Sequence, residues 1–207
     1  MVFYTADPHF GYSAVLQKTG RPFATVEEMD RVLIQNWNRV VSDQDTVYLL
    51  GDVGGYCTPF PAKQLASLKG HKHLIRGNHD TGLEDPQQLF DYFESVSDFW
   101  EMEDGGTHIV LCHYPLVHVR GGLMIHGHLH NAQQEGYRVL QQLPRVLNAG
   151  VDVNGFCPVT LQQLIKNNQL FYNDPHRGEQ QHPEPGDQKK RRGWQADFRP
   201  VPVKTIK

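Results

Sequence analysis

Thr46-Val47-Tyr48-Leu49-Leu50-Gly51-Asp52 is a continuous apolar run, of the kind that forms a buried strand, stopped by a glycine and followed at once by an acid. The same construction recurs along the chain. Val2 to Thr5 reads as a strand and is followed by Asp7-Pro8-His9. His73-Leu74-Ile75-Arg76 ends in Gly77-Asn78-His79-Asp80, His108 to Leu111 ends in Cys112-His113-Tyr114-Pro115, and Leu123-Met124-Ile125 delivers His126-Gly127-His128-Leu129-His130. Between these runs lie helical patterns. Thr25 opens one as an N-cap with Glu28 three residues on, and Met29, Leu33, Trp37 and Val40 then share a face. Shorter helices are expected from Pro61 to Leu68, from Pro86 to Phe93 and from about Thr160 to Lys166, and further strands from Tyr137 to Gln141 and from Arg145 to Asn148. Strands alternating with helices predict an α/β architecture. In open α/β sheets ligands gather beyond the carboxyl ends of the strands, which is where the five polar clusters fall.

The clusters are rich in metal donors. Asp7 and His9, one residue apart, can reach one ion from a turn, and His128 and His130 share that spacing and can serve two neighbouring ions. Asn78 offers a neutral carbonyl oxygen, and His113 completes the set. Asp52 is the natural bridge between two ions, because a carboxylate has two oxygens and an imidazole normally serves one metal. Mixed imidazole and carboxylate donors suit Mn, Fe, Zn, Ni or Co better than Ca or Mg alone. The lack of thiolate at these positions argues against a structural zinc site, and Cys112 should face away from His113 on its strand.

In order and spacing these motifs resemble the calcineurin-like metallophosphoesterase superfamily, with the match running from Thr5 to about Leu164. The resemblance implies a four-layer fold in which a two-sheet β-sandwich is flanked by helices. It implies that Asp7, His9 and His130 hold one divalent transition-metal ion, that Asn78, His113 and His128 hold a second, and that Asp52 bridges them. Manganese is the first choice in vitro, with Fe, Zn, Ni or Co as alternatives. His79 would then face the substrate, stabilising the phosphoryl group or protonating the leaving oxygen, and Asp80 would orient His79. The implied reaction is hydrolysis of a phosphate ester, a phosphodiester first, by a hydroxide generated between the two cations. A phosphomonoesterase, a nucleotide pyrophosphatase or a nuclease is the alternative on the same scaffold, and a non-catalytic metal-binding scaffold is the rival from outside the enzymes. Relatives with a similar opening often carry a histidine where this chain has Tyr12. Arg21 and Arg120 are candidate phosphate clamps and His118 a candidate pocket residue; Arg76 reads equally as a structural partner for a carboxylate, and His126 as a core residue or a support behind the metals.

Composition adds bounds. The chain has 207 residues, 39% of them hydrophobic and 21% charged, and a formal net charge of -3, which gives no whole-chain signal for nucleic acid or membrane. There is no apolar run of bilayer length and no basic-then-apolar leader. Three scattered cysteines, Cys57, Cys112 and Cys157, fit a reducing, cytoplasmic setting better than a disulfide framework. From residue 174 the chain turns Pro-, Gly- and Gln-rich, then basic at Lys189-Lys190-Arg191-Arg192, so we expect a metallophosphoesterase domain over 1–173 and a linker or docked arm over 174–207. A small-molecule phosphate ester is the favoured partner; nucleic acid has only that basic run behind it, no membrane partner is expected, and the oligomeric state is not legible.

Overall fold

Among the described residues, eight strands build two four-stranded sheets. In the computed structural model, which describes residues 1–56, 58–81, 86–132 and 138–173, the first sheet runs β1 (Val2–Thr5), β2 (Thr46–Leu49), β3 (His71–Ile75), β4 (Ser95–Ser97) in that order, all parallel. The second runs β5 (Phe99–Asp104), β6 (Thr107–Cys112), β7 (Leu123–His126), β8 (Val146–Asn148). Here β5 and β6 form an antiparallel hairpin, while β6, β7 and β8 are parallel. Gly105 and Gly106 both take positive φ at the hairpin turn.

Strand alternation sorts each side chain into one of two cores. Phe3, Val47, Leu49 and Leu74 point to one face of the first sheet, where they meet Met29, Leu33 and Trp37 of α2 (Val26–Val40) and Leu65 of α3 (Ala62–Ala66). Their neighbours Tyr4, Leu50 and Ile75 point the other way and pack on Ile109, Leu111, Ile125 and Leu147 of the second sheet. The molecule is therefore a two-sheet sandwich with flanking helices. A short helix, α1 (Ala14–Thr19), precedes α2. The last helix, α5 (Leu161–Tyr172), adds Leu164 to the core between the sheets.

The segment from 149 to 159 fastens the two sheets together. Leaving β8, it runs along the free edge of β1, where Val151 N–H donates to the Ala6 carbonyl and Tyr4 and Val159 exchange backbone bonds. This carries residues 150–154 to the carboxyl end of β1.

Thr25 caps α2 as expected: its Oγ1 accepts from Glu28 N–H at 3.2 Å, and the Glu28 carboxylate reaches back to Ala24 N–H at 2.8 Å. Three expectations change. Pro86–Asp91 forms a 3₁₀ segment rather than an α-helix. Arg138–Gln141, expected in a strand, is a single helical turn, α4; four apolar-rich residues satisfy either period, and length alone favours neither. The last helix continues six residues past Lys166, to Tyr172. Tyr137, Cys57 and the 174–207 segment lie outside the described residues.

Candidate active site

Every strand end singled out in the sequence arrives at one place. Asp7, His9 and His130 offer donor atoms that all lie within 4.8 Å of one another, and so do Asp52, His113 and His128. Asp52 links the two groups: its Oδ1 lies 3.5 Å from His113 Nε2 and its Oδ2 lies 3.6 Å from His9 Nε2. Asn78 joins the second group, with Oδ1 3.1 Å from His113 Nε2 and 2.9 Å from His128 Nδ1.

The imidazoles are held in register from behind. His9 Nδ1 donates to the Gly54 carbonyl at 2.8 Å, His113 Nδ1 to the Leu50 carbonyl at 2.7 Å and His130 Nδ1 to the Asp152 carboxylate at 2.8 Å. A carbonyl or carboxylate only accepts, so the proton is on Nδ1 in each ring and the Nε2 lone pair faces inward. The Asn78 amide is fixed as well, because its Nδ2 donates to Tyr56 Oη at 2.9 Å and turns Oδ1 toward the histidines. His113 Nε2, Asn78 Oδ1 and Asp52 Oδ1 thus bring lone pairs together with no hydrogen between them. That arrangement is repulsive by itself and is what a cation would satisfy.

Two glycines allow this convergence. A Cβ on Gly77 would lie 2.3 Å from Asp52 Oδ1, and one on Gly51 would lie 2.4 Å from the Gly77 nitrogen. Five donors, Asp7, His9, Asp52, His128 and His130, also take a left-handed backbone, with φ between 49° and 68°.

Charge is concentrated here on buried side chains. Asp7 is fully buried and Asp52 nearly so. Burial, together with the neighbouring Asp7 carboxylate, pushes Asp52 up to about 7. Burial and the surrounding imidazoles hold His9 well below the usual histidine range. His130 goes the other way: burial opposes its charge, but the Asp152 hydrogen bond and the Asp7 carboxylate outweigh that and raise it.

His79 stands beside both groups, with Asp52 and His9 near its ring nitrogen. Its backbone N–H donates to Asp52 Oδ1 at 2.8 Å. Its Nδ1 accepts from Tyr56 N–H at 3.1 Å, so the neutral ring carries its proton on Nε2. The Tyr56 ring packs against it, tilted by 31° with centroids 3.7 Å apart, and Tyr12 sits 5.4 Å away. Where a further histidine was the alternative, the Tyr12 hydroxyl instead accepts from Lys18 Nζ at 3.2 Å.

Several expected roles are corrected. Asp80 does not orient the His79 ring. Its two oxygens accept the N–H groups of Asp52, Val53 and Gly77 at 2.7, 2.9 and 2.8 Å, so it ties the Gly51 turn to the Gly77 turn. Arg21 is no phosphate clamp: at 1% exposure it is buried against Asp152. Arg120 and His118 lie exposed on the 114–122 loop, outside the grouped donors. His126 is buried with Nδ1 on the Gly127 carbonyl, and Arg76 pairs with Asp98 at 2.7 Å.

The sequence reading missed Asp152 and Tyr56. A signal for Asp152 existed: Val146-Leu147-Asn148-Ala149-Gly150-Val151-Asp152 repeats the construction of apolar run, glycine and acid. Tyr56 carried none.

A family model described as calcineurin-like phosphoesterase matches residues 2–197. An uncharacterized protein of Methanocaldococcus jannaschii is 33% identical over 172 residues, which cover 80% of this chain and 89% of that protein. The gene 66 protein of Mycobacterium phage L5 is 29% identical over 185 residues, covering 74% of this chain and 87% of its own. Among solved structures, a protein of unknown function from Aquifex aeolicus has a TM-score of 0.64 and 26% identity, over 80% of this chain and 98% of that one.

Proposed function

This chain belongs to the calcineurin-like phosphoesterase family, and we propose that it is a phosphodiesterase working with two divalent transition-metal ions. The observation that carries the reading is the Asp52 carboxylate, which faces one donor group with each oxygen. Asp7, His9 and His130 would hold one ion and Asn78, His113 and His128 the other, with Asp52 shared. The mixed nitrogen and oxygen donors fit manganese, with Fe, Zn, Ni or Co as alternatives. When bound, such a pair supplies an acidified water and a sink for phosphoryl charge.

The side chains then divide the work. His79, neutral near pH 7, presents Nε2–H as a hydrogen-bond donor to a phosphoryl or leaving-group oxygen. Asp80 keeps the two ligand-bearing turns together. Tyr56 and Tyr114, both about half exposed, border the donors and leave the mouth open to small diesters. Cytoplasmic placement belongs to the same reading and agrees with unpaired Cys112 and Cys157. No helix among the described residues is long and apolar enough to cross a membrane.

The test is hydrolysis of bis-p-nitrophenyl phosphate by the metal-free protein resupplied with Mn²⁺, beside the corresponding monoester. The diester should turn over faster, and Asp52→Asn should lower kcat/KM by at least ~100-fold. Faster monoester turnover would replace phosphodiesterase with phosphomonoesterase. No turnover of either ester with any divalent metal would end the enzymatic reading.

A further inference from the structure

Arg21 heads the large side chains that are fully buried. It enters the interior just after the left-handed Gly20 that ends α1. All five of its N–H groups meet acceptors. Nε donates to Asp152 Oδ1 at 2.8 Å and Nη2 to Asp152 Oδ2 at 2.9 Å, a two-pronged grip on one carboxylate. Nη2 also donates to the Asp7 carbonyl at 2.7 Å, and Nη1 to the Pro8 carbonyl at 2.9 Å and to Met29 Sδ at 3.3 Å. The Phe156 ring lies 5.9 Å from the guanidinium carbon. Asp152, in turn, accepts from His130 Nδ1 at 2.8 Å.

Apart from the one to Met29, these bonds lead to one of the two donor groups. Arg21 reaches His130 through Asp152, Asp7 through that residue's own carbonyl, and the left-handed turn into His9 through Pro8. The second group has anchors of its own, His113 on the Leu50 carbonyl, Asp52 on His79 N–H and Asn78 on Tyr56, and it meets the first group through the shared Asp52 and through His128 N–H on the Asp7 carboxylate, not through Arg21. We infer that the Arg21–Asp152 pair is a positioning strut dedicated to the Asp7, His9 and His130 site, and that it sets the affinity of this site for its cation separately from that of its neighbour. The inference rests on the two-cation reading and goes beyond it: the sites can be weakened one at a time.

The physical reason lies in the donor chain. Asp152 fixes the His130 tautomer and makes its imidazole a stronger donor. Arg21 fixes the orientation of Asp152 with two parallel N–H bonds, so that one carboxylate oxygen stays aimed at His130 Nδ1, and holds the backbone of the other two ligands from the same point. Lysine cannot substitute, since it lacks the planar fork and two of the five N–H groups.

The experiment titrates full-length, metal-free protein with Mn²⁺ by calorimetry and follows folding by thermal melts. Wild type should show two binding events, and His130→Ala identifies which belongs to the Arg21-linked site. Asp152→Asn alone would strand a buried guanidinium charge, so the main variant is Arg21→Met with Asp152→Asn, which removes both charges. It should weaken the His130-dependent event by roughly 10–100-fold and leave the other unchanged. Arg21→Lys, the milder second variant, should weaken the same event. Variants that fold yet keep both events at wild-type strength, or weaken both alike, overturn the inference while the two-cation reading stands. A wild type with fewer than two events overturns that reading, and the inference with it.

Discussion

A left-handed backbone at a residue with a side chain carries a strain on the order of 1–3 kcal/mol. Asp7, His9, Asp52, His128 and His130 all adopt one. Of the non-glycine described residues with positive φ, only Phe156 lies outside the donor set. The strain is held by bonds such as His128 N–H to both Asp7 oxygens at 2.9 and 3.0 Å. His79 has no such backbone, and its contribution should be chemical. Burial, Lys18 and the surrounding imidazoles lower it to about 4, so between pH 5 and 9 it stays neutral and keeps the proton on Nε2. His79→Ala should therefore lower kcat by about 10²–10³-fold, with the fold-loss constant across pH 6 to 8. A wild-type rate that rises or falls through pH 6.5 because of His79, and a variant that does not, would show the ring titrating where a normal histidine does. At this scale most donors were legible because they sit within two residues of another donor or of a glycine at a strand end, and His113 because it directly follows the apolar run of β6. Arg21 was misread because a loop arginine looks the same in sequence whether it faces solvent or an acid 131 residues away. Tyr56 was invisible for a related reason, since its bonds to Asn78 and His79 cross 22 and 23 residues of chain.

The elements show which local patterns survive folding. Helix α2 was readable because cap, first-turn acids and apolar face agree over 15 residues. Helix α1, with six residues and one buried position, has too little pattern to find. Strand β5 was missed because it is an edge strand whose first three residues are all exposed, Phe99 and Trp100 among them, so apolar and polar positions do not alternate cleanly. Two substitutions separate an element's stability from the site's function. Thr25→Ala removes the α2 cap and should cost about 1 kcal/mol, seen as a lower Tm with kcat and metal affinity unchanged. Gly77→Ala, whose Cβ would meet Asp52 Oδ1 at 2.3 Å and the Asp52 nitrogen at 2.6 Å, should push apart the turns after β2 and β3. Metal affinity would then fall by at least ~10-fold, beyond what its change in Tm accounts for. Equal damage to the metal site from both variants would mean that Asp52 responds to global loosening and not to the close approach of the two turns.

Across the whole molecule, the fold was legible wherever an apolar run was followed by a polar stop, because parallel strands buried on both faces leave continuous runs. What joins the sheets was not legible, since the 149–159 segment bonds to β1 without extended alternation of its own. The same dense packing makes the molecule sensitive to acid. His126 is completely buried at the end of β7 and is held at about 4 by that burial, only partly offset by its bond to the Gly127 carbonyl. In the unfolded chain it would titrate near 6.5. Between those values the unfolded state binds the extra proton, so stability rises with pH and is lost as pH falls from about 6.5 toward about 4. The full difference amounts to about 3 kcal/mol for this one ring. His9 and His128 are shifted in the same direction, again first by burial, and steepen the dependence in metal-free protein. Asp52 and His130, whose folded-state values are raised, oppose this dependence, so the His126 part is read against His126→Gln, which does not titrate. In urea unfolding of the metal-free protein, wild type should lose stability relative to that variant as pH falls from 7 to 5. A difference between the two that stays constant over this interval would mean that the His126 ring takes up its proton within the folded protein, through local opening at the end of β7.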